Sequence, residues 1–460
     1  MSIFVSIAAY RDAQLGPTIR DCIAKARYPK DLRFGICWQH GPEEAAPALP
    51  EGTVCRLLDV DWRESRGACW ARAQIMRLWD GEDYFFQLDS HHRFAREWDV
   101  KLIDYMRRTN SAKPLLTTYG TPFIPAENEV LDEEPMQMNF DYFTPQSIAL
   151  FRPGYIVNWR RLNRPLRARF ISAHFLFTIG EFVEEVPYDS ELYFIGEEIS
   201  LTIRAFTHGY DLFHPPEPIV WHEYTRSYRP KHWDDHVTQQ KVETEWHQRD
   251  GRSVAKVQQF LKAPTVGPFA CGTVRSFTDY EAYAGLSFRH KRVQDYTKRF
   301  EEPPNPPLPA DWAEATRSWR VVVAIDRAAL PESALRHPEF WYVGAHDADG
   351  QEIYREDLAN EELHYLLAVS GPQILIERRF ESYAEPLTWT VWPFSKFDGW
   401  LDKIEGAADR SDELGAVALA ALPPRSALKR RVVDALSAIP FPPAPRLPLR
   451  KERPPRFDSW

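Results

Sequence analysis

Cysteine is scarce in this 460-residue chain, and the five present, Cys22, Cys37, Cys55, Cys69 and Cys271, fall at no paired or metal-ligand spacing. An odd, scattered set excludes a disulfide framework and fits a reducing cytoplasm. Excess positive charge is also missing. The formal net charge is -9 with both signs mixed, whereas a general nucleic-acid binder needs a basic face to replace phosphate counterions. No nucleic-acid partner is expected, and a polyanionic substrate is disfavoured. No run approaches the roughly 20 apolar residues of a membrane span. The apolar opening, Met1 to Tyr10, lacks a basic leader and runs into Arg11-Asp12, so it reads as a first buried strand. No internal repeat is visible.

What is present exceeds one ordinary core, and two domains with connecting segments are expected. Phe4–Ala9 reads as a strand, Leu15–Ala26 as an amphipathic helix and Leu32–Trp38 as a second strand, an opening β-α-β rhythm. Such alternation implies a largely parallel sheet covered by helices. A helix over Ala68–Leu78 then leads into the strand Tyr84–Leu88. The Pro-rich stretch Glu302–Pro309 cannot build a helix or a central strand and reads as a stiff linker. Beyond it, short alternating runs between turn signals suggest a small β-rich module. The expected division is 1–300 for an α/β catalytic domain, 301–317 for the linker, 318–400 for the β-rich domain and 401–460 for a helical, Pro-rich basic tail.

The most informative stretch is Tyr84 to Phe94, where an apolar strand runs into Asp89-Ser90-His91. On a strand, side chains at i and i+2 share a face, so Asp89 and His91 can converge on one cation while Ser90 and His92 point away. A carboxylate and an imidazole suit Mn²⁺ or Mg²⁺ and leave positions open for phosphate oxygens. In an open α/β sheet ligands sit beyond the carboxyl ends of strands, so the Tyr10-Arg11-Asp12 turn belongs at the same edge. A second element is Gly196-Glu197-Glu198 followed by Ile199, Ile203 and Phe206, a helical stripe starting near Glu197 and capped by Gly209. The helix dipole explains at least one carboxylate in that first turn. The other is free to act on a ligand, and the sequence does not separate them.

These residues carry a resemblance. The stretches Ile3 to Asp12, Ser65 to Arg72, Gly81 to His91, Val186-Pro-Tyr-Asp189, Gly196-Glu-Glu198 and Thr273-Val-Arg-Ser276 resemble, in order, the polypeptide N-acetylglucosaminyltransferase family. Those are retaining GT-A enzymes that include the cytoplasmic hydroxyproline transferase, and the likeness covers about residues 1–290. It implies a Rossmann-like GT-A fold that binds a nucleotide sugar, with Asp-Ser-His as its metal-binding DXD element. The more distant mucin-type N-acetylgalactosaminyltransferases are similar in their Asp-x-His and Gly-Glu-Asn. By that comparison Glu197 corresponds to the sugar-contacting Glu, and His222, in Trp-His-Glu-Tyr, to a third metal ligand.

The activity so implied is metal-dependent transfer of a sugar, N-acetylglucosamine from UDP-GlcNAc, to a hydroxyl of a glycan or protein acceptor. Asp89, His91 and His222 are the expected metal ligands. Tyr10 and Arg11 are candidates for the uracil and ribose, and Arg66 and Arg72 for donor or phosphate. The bland alternative for these four is an ion pair on a loop or helix surface. Neighbouring carboxylates diverge on a helix, so Glu197 and Glu198 cannot flank a glycosidic bond as paired hydrolase carboxylates do. The competing function is an inactive nucleotide-sugar or glycan-binding protein acting through its C-terminal domain. In the tail, Leu428, Val432, Leu436 and Ile439 form a stripe beside Lys429-Arg430-Arg431. That pattern suits peripheral membrane association through 423–460, although such stripes more often pack on their own protein.

Overall fold

The computed structural model describes residues 1–125, 131–225, 228–237 and 242–412. The tail stripe and its basic cluster therefore lie outside the described residues. The chain divides into two compact units, Met1–Thr316 and Arg317–Trp460.

In the first unit the elements run β1 (Ile3–Tyr10), α1 (Leu15–Lys25), β2 (Leu32–His40), β3 (Val54–Asp61), α2 (Ala68–Met76), β4 (Tyr84–Asp89), β5 (His92–Phe94), α3 (Trp98–Arg108), β6 (Pro114–Thr117) and β7 (Thr121–Pro122). A hairpin of β8 (Met136–Phe143) and β9 (Ala149–Tyr155) follows, then β10 (Leu166–Arg167), β11 (Phe175–Ile179), α4 (Phe182–Glu185), α5 (Glu197–Thr207), β12 (Asp211–His214) and β13 (Val220–His222). Eight strands form one sheet in the order β10-β12-β6-β11-β4-β1-β2-β3. Period-two alternation decides its covering. In β1, Ile3, Val5, Ile7 and Ala9 join the core beneath α1 and α3, through Ile19, Trp98 and Leu102. Phe4 on the opposite face joins the core with Ile75 of α2 and Ile199 and Ile203 of α5.

The parallel expectation holds for β4, β1, β2 and β3. It fails at β11, which is antiparallel to both β4 and β6. The chain re-enters the sheet where β4 ends, pairing Phe175 with Leu88, and runs back to pair Ile179 with Tyr84. A consequence is that the start of β11 lies beside the turn after β4, bringing His174 to that edge.

The Pro-rich stretch is not a free spacer. Arg164 grips Glu302 through two guanidinium hydrogen bonds of 2.6 and 2.8 Å. Buried Asn305 accepts from Arg169 at 2.5 Å and donates to Gln294 at 2.8 Å. Both contacts stay within the first unit, and they compensate for the backbone N–H donors that the prolines lack.

The second unit is β-rich. A three-stranded sheet of Arg317–Asp326, Gln373–Ser382 and Asp409–Asp412, and a six-stranded sheet centred on Pro338–His346 and Thr388–Ser395, share one core. Val321, Val323 and Ile376 come from the first sheet, and Trp341, Val343 and Val391 from the second. Among the described residues no helix is long and apolar enough to cross a membrane.

Candidate active site

The parallel pairing of β1 and β4 sets Ala8 opposite Asp89, so the turns that follow both strands open at one sheet edge. Asp89 is the last residue of β4 and His91 sits in the bend before β5. Their convergence therefore comes from a turn rather than from strand alternation. Ser90 does not point away, since its hydroxyl donates to Asp12 Oδ2 at 2.6 Å. The same oxygen lies 2.8 Å from His91 Nδ1. With Nδ1 held by a buried carboxylate, Nε2 is the nitrogen left to face Asp89 Oδ2, 3.9 Å away. Metal-binding imidazoles are oriented in this way. Burial alone would raise Asp12, but the hydrogen bond and charge of His91, with Arg229 and Ser90, hold it below the usual carboxylate range.

His222 arrives by another route than the one expected. It ends β13, which belongs to a separate three-stranded sheet and pairs His222 with His92 of β5. Since β5 continues from the Asp-Ser-His turn, this pairing delivers His222 to the same point. Its Nε2 lies 3.5 Å from Asp89 Oδ2. Ligand atoms of Asp89, His91 and His222 all lie within 4.8 Å of one another, with both histidines buried and Asp89 partly open. Neither ring nitrogen of His222 makes a well-formed hydrogen bond, the 3.5 Å approach of Nε2 to Asp89 being a long polar contact. An orphaned, buried imidazole facing a carboxylate is costly without a ligand, so the donor set fits a divalent cation. Burial, reinforced by His174, pushes the His222 pKa well down, leaving the neutral ring that ligates. Asp89 would be raised by burial, yet His222, Arg72 and His91 hold it well below the usual range.

Arg72 is not on a helix surface. Buried on α2, its guanidinium donates to Asp89 Oδ1 at 2.7 Å and to Glu197 Oε1 on α5. One cation thus ties the Asp-Ser-His turn to the Gly-Glu-Glu turn, and it separates the two glutamates. Glu197 turns toward Arg72, while Glu198 accepts from the Ala173 amide at 2.9 Å. Gly196 serves the backbone there, with φ +91° and a Cβ position that would fall 2.7 Å from Val257. That packing, rather than ligand approach, explains the glycine.

Tyr10 and Arg11 close another side of the edge. The Tyr10 hydroxyl donates to Asp235 Oδ2 at 2.9 Å, and Arg11 pairs with Asp235 at 3.1 Å, Glu44 at 2.8 Å and Glu43 at 2.6 Å. Arg66 is exposed just before α2. Sequence reasoning left His92 and His174 aside, yet both wall the cluster. Their rings lie 4.8 and 4.2 Å from the His222 ring, and Tyr224 lies 4.3 Å from it. His208 instead bonds Arg204 O at the end of α5.

Glu198 gives a pH test. Burial, with Glu197 and Asp89 nearby, pushes its carboxyl up from 4.5 to about 8. The folded protein then keeps a proton that the unfolded chain sheds, so this contribution to stability is complete below pH 4.5 and is lost as pH rises through about 8. Glu198→Gln should gain stability over the parent across that window, by up to about 1.4 kcal/mol per pH unit. Urea unfolding of both proteins at about pH 5 and about pH 8 reads the difference; equal differences at the two pH values would contradict a buried, protonated Glu198.

The glycosyltransferase (GlcNAc) family model matches residues 2–54 and 49–290, more than half of the chain. The chain belongs to this glycosyltransferase family. Among solved structures, this glycosyltransferase is similar to GalNAc-T7 with UDP, GalNAc and Mn²⁺, at 15% identity over 61% of this chain and 54% of that one, with a TM-score of 0.40. It thus spans about half the length of the GalNAc-T7 chain. It is also similar to S. aureus TarS 1–349 in complex with UDP-GlcNAc, at 10% identity over 56% and 73% of the two chains, with a TM-score of 0.34. Full TarS aligns with 88% of this chain and 77% of its own, at 9% identity and a TM-score of 0.34. No curated protein matches the chain.

Proposed function

We propose that this glycosyltransferase moves N-acetylglucosamine from UDP-GlcNAc to a hydroxyl of a glycan or protein acceptor, with retention and with a divalent metal, Mn²⁺ or Mg²⁺. The observation that carries the reading is the convergence of Asp89, His91 and orphaned His222 at the carboxyl ends of the parallel strands β1 and β4. When bound, the cation neutralises the charge that develops on the departing diphosphate. Asp12 fixes the His91 ring, and Arg72 holds the Asp89 carboxylate. Glu197, on the other arm of Arg72, orients the sugar or acceptor. Tyr10 and Arg11 flank the uracil and ribose, and Arg66, exposed at the rim, meets donor phosphate.

Glu197 and Glu198 face different partners, which supports transfer over two-carboxylate hydrolysis. A donor phosphate oxygen takes the acceptor proton, so no separate base is needed. Retention and kinship with the polypeptide and hydroxyproline transferases rest on the sequence resemblance. Cytoplasmic location, with or without membrane attachment through 423–460, is part of the same proposal. Incubation with a panel of UDP-sugars and Mn²⁺, scored for UDP release, tests it. Release fastest from UDP-GlcNAc and lost on chelation is expected. Full release in excess chelator would remove the metal from the scheme, and tight UDP binding without turnover of any donor would make the protein a binder.

A further inference from the structure

The six-stranded sheet of the second unit has two unlike faces. Trp341, Val343 and Ala345, alternating with Tyr342, Gly344 and His346, are buried in the unit's core, as are Trp389 and Val391 of the neighbouring strand. Their alternates, with Thr390 and Trp392, lie on the opposite face, over which a cleft of about 800 Å³ opens. That volume lies inside the ~300–1,000 Å³ range of ligand sites. Trp392 is fixed by its indole N–H, which donates to Leu401 O at 2.6 Å. Trp400 packs 4.2 Å from it, centroid to centroid, and is itself 44% exposed. Lys403 lies over the Trp392 ring at 4.5 Å, and Arg355 over Tyr342 at 4.9 Å. Glu405 adds the opposite charge at the same cleft. The Tyr342 ring lies along its own strand over Gly344, where a Cβ would fall 2.1 Å from the Tyr342 hydroxyl.

We propose that this cleft binds a neutral oligosaccharide, with Trp400 stacking on one pyranose ring and Arg355, Lys403 and Glu405 bonding ring hydroxyls. The chemistry discriminates among occupants. A pyranose offers an apolar C–H face to an exposed indole and a rim of hydroxyls that both donate and accept, which matches an aromatic floor edged by charges of both signs. Mixed signs disfavour a polyanion. The family's transfer product carries a sugar whatever its acceptor, so a sugar-holding module keeps a glycan acceptor or product on the protein between turnovers. That raises effective concentration without altering the catalytic groups.

Calorimetric titration of the full chain with chitotetraose, cellotetraose and maltotetraose, without nucleotide sugar or metal, tests the inference. Binding of at least one is expected, weakened tenfold or more by Trp400→Ala. Trp400 also packs against Phe340 and Phe394, centroids 5.3 and 5.2 Å away, so its loss should lower the melting temperature somewhat, whereas Lys403→Ala, outside the core, should weaken binding with the melting temperature kept. Asp89→Asn, which keeps the contact with Arg72, should bind the same oligosaccharide as the parent does. No binding of any of the three, or undiminished binding by Trp400→Ala and Lys403→Ala, would overturn the assignment. Loss of binding in Asp89→Asn would move the sugar to the first unit. Self-association abolished by Trp400→Ala, with no sugar binding, would make the face a contact between copies.

Discussion

Asp89→Ala is expected to abolish metal-dependent UDP release and to remove Mn²⁺ binding, read separately as the free-ion EPR signal during titration. Asp89 is the one carboxylate in the set with His91 and His222, so it supplies the negative charge that imidazole rings cannot. Charge stabilisation of a leaving group by a cation is worth several kcal/mol, and its loss corresponds to a rate fall of about a thousandfold or more. Asp89 is also an acceptor for buried Arg72, so the alanine variant should lose stability as well as rate. Asp89→Asn answers that difficulty, because its amide oxygen still accepts from Arg72 while the charge is gone. The asparagine variant should melt closer to the parent and still leave Mn²⁺ free. Metal binding and turnover surviving in both variants would dismiss Asp89 as a ligand.

Much of this edge was legible because short-range patterns produce it. Alternation in β1 and the stripe Ile199, Ile203, Phe206 gave strand and helix, and Asp-Ser-His marked the end of β4. What escaped depends on pairing between distant segments. Asp12 was visible only as part of a turn after β1. Its role follows from β1 lying beside β4, which places it against Ser90 and His91. His174 reaches the cluster because β11 runs antiparallel, and His222 because β13 pairs with β5. Nothing local encodes either pairing. Arg72 was a candidate for donor or phosphate, with a surface ion pair as the alternative, and its buried place between Asp89 and Glu197 follows only from the packing of α2 against β4 and α5. Gly196 is likewise explained by a distant partner, since its positive φ comes with close packing against Val257.

The pairing of Arg72 with Glu197 sets up the second large effect. Glu197→Leu should lower turnover strongly and also destabilise the fold by about 1.5–3 kcal/mol, since it removes one of the two carboxylates that buried Arg72 bonds. Glu197 is buried and in contact with Arg72, so a change of stability accompanies any change of rate at this position. Rate loss alone therefore cannot distinguish a group that positions the sugar from one that holds the helix. Replacing both members can. In Arg72→Met/Glu197→Leu no charge is left uncompensated between α2 and α5, and buried pairs exchanged for apolar residues are often neutral in stability. Asp89 then keeps His91, His222 and the cation as partners. The double variant should recover most of the lost melting temperature while UDP release stays at the level of the single Glu197→Leu variant. Recovery of turnover together with stability would show that Glu197 serves only to anchor α5, and its place against the sugar or acceptor would have to be given up.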